Sequence, residues 1–204
     1  MSFGYFFNME ILSLEIAKSH TQQMTNDNTF DDIFLDEKKL VNNIKNGFIA
    51  LTQLTTFFES FLNTILKKCL KYDNECLLKC SIEEKIEIIF MYYQKDFSII
   101  KSQNVWYSYK TATKVRNSLI HFKKSELGNG TGVPKFKITN QNVEIFFTRK
   151  NLEIVTENVI QLANSIAHEL ELEISADISI FECDGKGDPV NYIHEKLQRN
   201  GDNR

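Results

Sequence analysis

Between Ala112 and Lys124 the chain reads ATKVRNSLIHFKK, which sets Arg116, Asn117 and His121 within six residues of one another. Those side chains are suited to work on a phosphodiester. An imidazole titrates near neutrality, so it can take a proton from an attacking hydroxyl or give one to a leaving oxygen. A guanidinium donates two hydrogen bonds to phosphate from a rigid planar fork. Attack of a ribose 2′-hydroxyl on the adjacent phosphorus needs both functions, together with positive charge at the equatorial oxygens. One imidazole cannot easily serve both ends of an in-line reaction. A two-fold homodimer would bring two copies of Arg116 and His121 into one cleft and complete the set. Asn117 would orient the phosphate or the imidazole.

The helix that must carry these residues is unusual in two ways. Advancing about 100° per residue places Tyr109, Ala112, Arg116 and Leu119 on the side of Val105, so Arg116 interrupts an apolar stripe. A buried, unpaired guanidinium costs several kcal/mol, so it must pair with a carboxylate or face a cleft or partner surface. Glu59, within FFESFLNTIL, is a candidate partner, and Asn63 in the same phrase is a second supporting residue. Lys110, Lys114, Asn117 and His121 share a different side, with Tyr107 and Lys124 at its margins. Residues 101–124 hold six Lys or Arg and no Asp or Glu, in a chain of formal net charge −3. With Trp106, Tyr107 and Tyr109 interleaved, this patch suits a phosphate backbone and splayed bases. Lys110, Lys114, Lys123, Lys124 and Tyr107 are the RNA-binding candidates. The plain alternative is that an Arg and a His on a surface helix are solvated side chains.

The phrase RNSLIH (116–121) resembles the R-x4-6-H signature of the HEPN superfamily (higher eukaryote and prokaryote nucleotide-binding domains), including the polar residue that often follows the Arg. FESFLNTIL and SIEEKIEII also resemble phrases of that family, and the similarity spans about residues 40–122. The resemblance implies a mainly α fold, an antiparallel helical bundle with a composite site at a homodimer interface. It further implies a metal-independent endoribonuclease of bacterial defence, or a toxin restrained by an antitoxin or another defence-system partner protein. Lys123 stands where the subgroup partnered with a small nucleotidyltransferase tends to carry Tyr, which counts against that partnership. Two other readings stay open: a HEPN module that binds RNA, a nucleotide or a protein without cutting, and an unrelated helical interaction domain.

The rest of the chain favours long helices, with two prolines and eight glycines in 204 residues. A first helix is expected over about 5–20, followed by a loop through the acidic NDNTFDDIFLDEKK. A long helix is expected over about 40–72, where Ile44, Phe48, Leu51, Leu54, Phe58, Phe61, Leu62 and Ile65 recur at three- and four-residue steps. Ser81 and Glu84 form a capping box before a third helix. A fourth runs over about 105–122. Thr148 caps a last helix striped by Leu152, Val155, Val159, Leu162, Ile166 and Leu170. KFKITNQNVEIFF predicts a short β-hairpin at about 133–148, inserted after the motif helix. One helical domain over 1–175 and a C-terminal tail over 176–204, holding a short strand and a short helix, complete the expected organisation.

Several functions are argued against. No segment reaches the roughly 20 apolar residues a membrane span needs, and the N-terminal stretch reads as helix rather than export signal, so a cytoplasmic protein away from membranes is expected. Cys69, Cys76, Cys80 and Cys183 lack paired zinc spacing. The motif helix offers no carboxylates for a divalent cation, and no metal or other cofactor is expected. GNGTG lacks the strand, helix and Lys-Ser/Thr ending of a phosphate loop and reads as linker. His168 reads as a packed or capping residue, and His20 and His194 as solvated ones.

Overall fold

A computed structural model describes residues 9–26, 33–70, 77, 79–120 and 146–172. These form α1 (Met9–Gln22), α2 (Ile33–Leu70), α3 (Ile82–Tyr92), the single turn α4 (Ser98–Lys101), α5 (Asn104–Ile120) and α6 (Arg149–Glu169). Among the described residues the fold is mainly helical and has no strand. No described helix is long and apolar enough to cross a membrane.

Helix α2 is the axis of the bundle. Its Leu51, Phe57, Phe58, Phe61, Leu62 and Ile65 are wholly buried, each contributing roughly 1.5–3 kcal/mol of burial. It starts at Ile33, well before the expected start near residue 40 and inside the segment expected to form a loop. Extending a nucleated helix adds one backbone bond per residue, which outweighs the few tenths of a kcal/mol that Asp and Lys cost in its interior. Helix α1 lies antiparallel to α2. His20 Nδ1 meets Asn46 Oδ1 at 2.9 Å near one end of the pair, and the Thr64 hydroxyl donates to the Glu10 carboxylate near the other. His20, expected to be solvated, is thus half-buried and hydrogen-bonded, because α2 lays an asparagine beside it.

Both predicted caps form. The Ser81 hydroxyl accepts from the Glu84 amide at 3.3 Å while the Glu84 carboxylate accepts from the Ser81 amide at 2.7 Å. These bonds hold the Glu84 carboxyl below the usual carboxylate range. The Thr148 hydroxyl accepts from the Asn151 amide at 3.3 Å and starts α6. The chain after α1 adds a further cap, because Asn26 Oδ1 accepts from the Lys150 amide at 2.7 Å and so ties the α1 exit to the α6 entry. Phe147 packs so closely over Gly47 of α2 that a β-carbon there would sit 2.2 Å from its ring.

Helices α5 and α6 pack against each other and against α2, and α6 also meets α1. Val105, Trp106, Tyr109, Ala112 and Val115 of α5 are buried, as is the predicted stripe of α6 from Leu152 to Leu170. Asn158 donates to the Ser108 hydroxyl at 3.1 Å between the two helices. The expected hairpin lies outside the described residues except for Phe146, Phe147 and Thr148. Those three are buried and lead into the α6 cap. The C-terminal tail lies outside the described residues. His168 is exposed in the last turn of α6 rather than packed, because the stripe passes to Ala167 and Leu170 beside it.

Candidate nucleic-acid interface

Helix α5 carries no acid along its length, and its alternating apolar and polar turns give it one buried and one open side. On the buried side Val115 is fully enclosed. Its neighbour Arg116 follows the same arc to a half-buried position, and the Arg116 Nε is buried with no hydrogen-bond partner. Asn117, about 100° further round, is exposed. The two adjacent polar residues therefore face different surroundings. His121, Lys123 and Lys124 lie outside the described residues.

Glu59 does not close an ion pair with Arg116. Its Oε1 is 2.6 Å from the Lys85 Nζ of α3, whose side chain is wholly buried while that of Glu59 is 50% exposed. The reason is electrostatic: a buried ammonium needs a counter-ion more than a guanidinium that is partly open to water. Sequence reasoning passed over Lys85, although Lys85 falls on the same helical stripe as Ile82, Ile86 and Ile89. A cation on an apolar stripe was the available signal, the same one that singled out Arg116. One turn along α2 from Glu59, Asn63 is half-buried, and its Oδ1 is buried without a partner.

Tyr109 links these groups. Its ring lies tilted against Phe58 with centroids 4.5 Å apart, and burial pushes its hydroxyl pKa up to about 12. A hydrogen bond with Thr113 and the charge of Arg116 oppose that rise, while the charge of Glu59 adds to it. Tyr109 thus feels the charges of both Glu59 on α2 and Arg116 on α5.

The open side of α5 differs from expectation. Of the three interleaved aromatics, Trp106 and Tyr109 are 6% and 3% exposed and belong to the core, whereas Tyr107 is 75% exposed. Phe97 and Phe58 each offer an aromatic face that draws Trp106 and Tyr109 inward. Only Tyr107 of the three can stack on a base. Lys114 is exposed and forms no ion pair among the described residues. Lys110 Nζ instead lies 2.8 Å from Glu83 Oε2 of α3, and 5.4 Å from the centre of the Trp106 ring. The hydrogen bond from Lys110 is the main reason that the Glu83 carboxyl sits below its ordinary range. Lys101 pairs with Glu87 at 3.0 Å and approaches Glu83 at 3.5 Å. Among the described residues no three His, Cys, Asp or Glu side chains gather closely enough to hold a metal ion.

No family model matches the chain, and comparison with curated proteins and with solved structures gives no significant match.

Proposed function

We propose that this chain is a metal-independent endoribonuclease of the HEPN type, acting as a homodimer whose composite site holds Arg116 and His121 of both protomers. The observation that carries the reading is the Arg116 guanidinium, half-buried on α5 with its Nε lacking any partner. A charged donor held out of water without an acceptor is costly and calls for a ligand that supplies one. A phosphate oxygen is such an acceptor. The acid-free helix around it, with Lys114 and Tyr107 open to solvent, supports a polyanion as that ligand.

In this mechanism one His121 accepts the proton of the 2′-hydroxyl as its oxygen attacks phosphorus, and the His121 of the second protomer protonates the departing 5′-oxygen. Arg116 stabilises the charge that grows on the equatorial oxygens. Asn117 orients the phosphate or the imidazole from the exposed flank, and Asn63 holds a buried carbonyl oxygen with no partner. The products are a cyclic phosphate and a free 5′-hydroxyl. Action in bacterial defence, or as a toxin held in check by a partner protein, rests on the resemblance of RNSLIH to the HEPN signature.

The test is incubation of the pure protein with RNA in EDTA, with His121→Ala and Arg116→Ala in parallel. Cleavage by the parent alone, leaving cyclic phosphate ends, is the expected result. Cleavage that survives in His121→Ala sinks the assignment. RNA binding or dimerisation that weakens in Arg116→Ala, with no turnover by the parent, selects the non-catalytic binding module instead.

A further inference from the structure

We infer that Glu83 is an intramolecular latch on the RNA-facing side of α5, occupying the Lys110 ammonium in place of a phosphate. The inference rests on the reading of α5 as an RNA-binding helix and concerns how strongly that helix binds. A single carboxylate spans two cations, with Oε2 at 2.8 Å from Lys110 and Oε1 at 3.5 Å from Lys101. Lys101 has a second partner in Glu87, whereas Glu83 is the carboxylate that Lys110 meets among the described residues.

The latch is displaceable. Lys110 and Glu83 are 42% and 40% exposed, so water screens their attraction and a phosphate can approach both. Position matters as well: Lys110 lies one turn before Lys114 on the same open side, so α5 presents one open cation and one that is held. A polynucleotide must break the Glu83 contact to gain the second, and the displaced carboxylate then stands beside its phosphates. Glu83 therefore lowers affinity for any single strand and reserves Lys110 for ligands long or dense enough to compete.

The experiment measures binding of a fluorescent 2′-O-methyl oligoribonucleotide, which lacks the attacking hydroxyl, over a KCl series. The proteins are the parent, Glu83→Gln, Lys110→Gln, the double variant and Glu84→Gln. Glu84→Gln removes the same charge one residue away and keeps a side chain that can close the capping box. One freed phosphate contact on a single strand steepens the slope of log K against log salt by about 0.7, or about fivefold tighter binding near 0.1 M. The expected result is that gain in Glu83→Gln, no such gain when Glu83→Gln is added to Lys110→Gln, and none in Glu84→Gln. Equal gains from Glu83→Gln and Glu84→Gln, or a gain that persists without Lys110, overturn the latch while leaving RNA binding in place. Binding by none of the five proteins overturns the latch and the RNA reading together.

Discussion

The ammonium of Lys85 on α3 is wholly buried, yet it lies 2.6 Å from a Glu59 carboxylate that is half open to solvent. One charge of this pair has been taken out of water and the other has not, which makes the two residues unequal in what their loss exposes.

Glu59→Gln strands a buried ammonium, for which loss of the partner costs about 3–5 kcal/mol. Lys85→Met keeps the buried volume and leaves a carboxylate that water already reaches, so its cost is under about 1 kcal/mol. Urea denaturation of both variants checks the asymmetry. Equal losses would show that Lys85 is solvated in the native state.

Tyr109 makes stability fall at high pH. Its hydroxyl ionises near 10 in the unfolded chain and at about 12 when folded. Between those values the unfolded state has lost the proton and the folded state retains it, so stability is complete below pH 10 and declines as pH rises towards 12. The full effect is about 2–3 kcal/mol. Tyr109→Phe should flatten the difference in unfolding free energy between pH 9 and 11.5 relative to the parent. Identical pH profiles would refute the burial of the hydroxyl.

Gly47→Ala should destabilise the protein although alanine favours helix by about 1 kcal/mol. The added carbon would stand 2.2 and 2.7 Å from Phe147 ring atoms and 3.2 Å from the Met24 methyl. Overpacking of this kind costs about 1–3 kcal/mol, so the balance is a lower melting temperature. Gly47→Ala in a Phe147→Leu background should recover part of the loss.

Arg116→Met removes a buried donor that has no partner and keeps an apolar stem for the α5 stripe. Stability should rise by about 1 kcal/mol and, under the proposed ribonuclease function, RNA cleavage should be lost, the pattern of a residue retained for function at the expense of the fold. A melting temperature that falls in this variant would mean that the guanidinium is satisfied in solution.

Much of the fold was legible because its causes are local in sequence. The Ser81–Glu84 box and the Thr148 cap each need only residues three apart, and both form as read. The stripes of α2 and α6 follow from helical periodicity, which is a property of the chain itself. The conflict at Arg116 was likewise visible, since a cation on an apolar stripe stands out in any projection.

What lies opposite each stripe was not legible. Glu59 stood as a partner for Arg116 until α3 brought Lys85 against it, and Trp106 and Tyr109 read as open aromatics until Phe97 and Phe58 covered them. The pairing of Lys110 with Glu83 joins residues 27 apart on different helices. Periodicity assigns a side chain to a face of its own helix, and caps depend on neighbours within one turn. Which counter-charge or ring meets that face depends on how separate helices pack, and only the tertiary structure decides it.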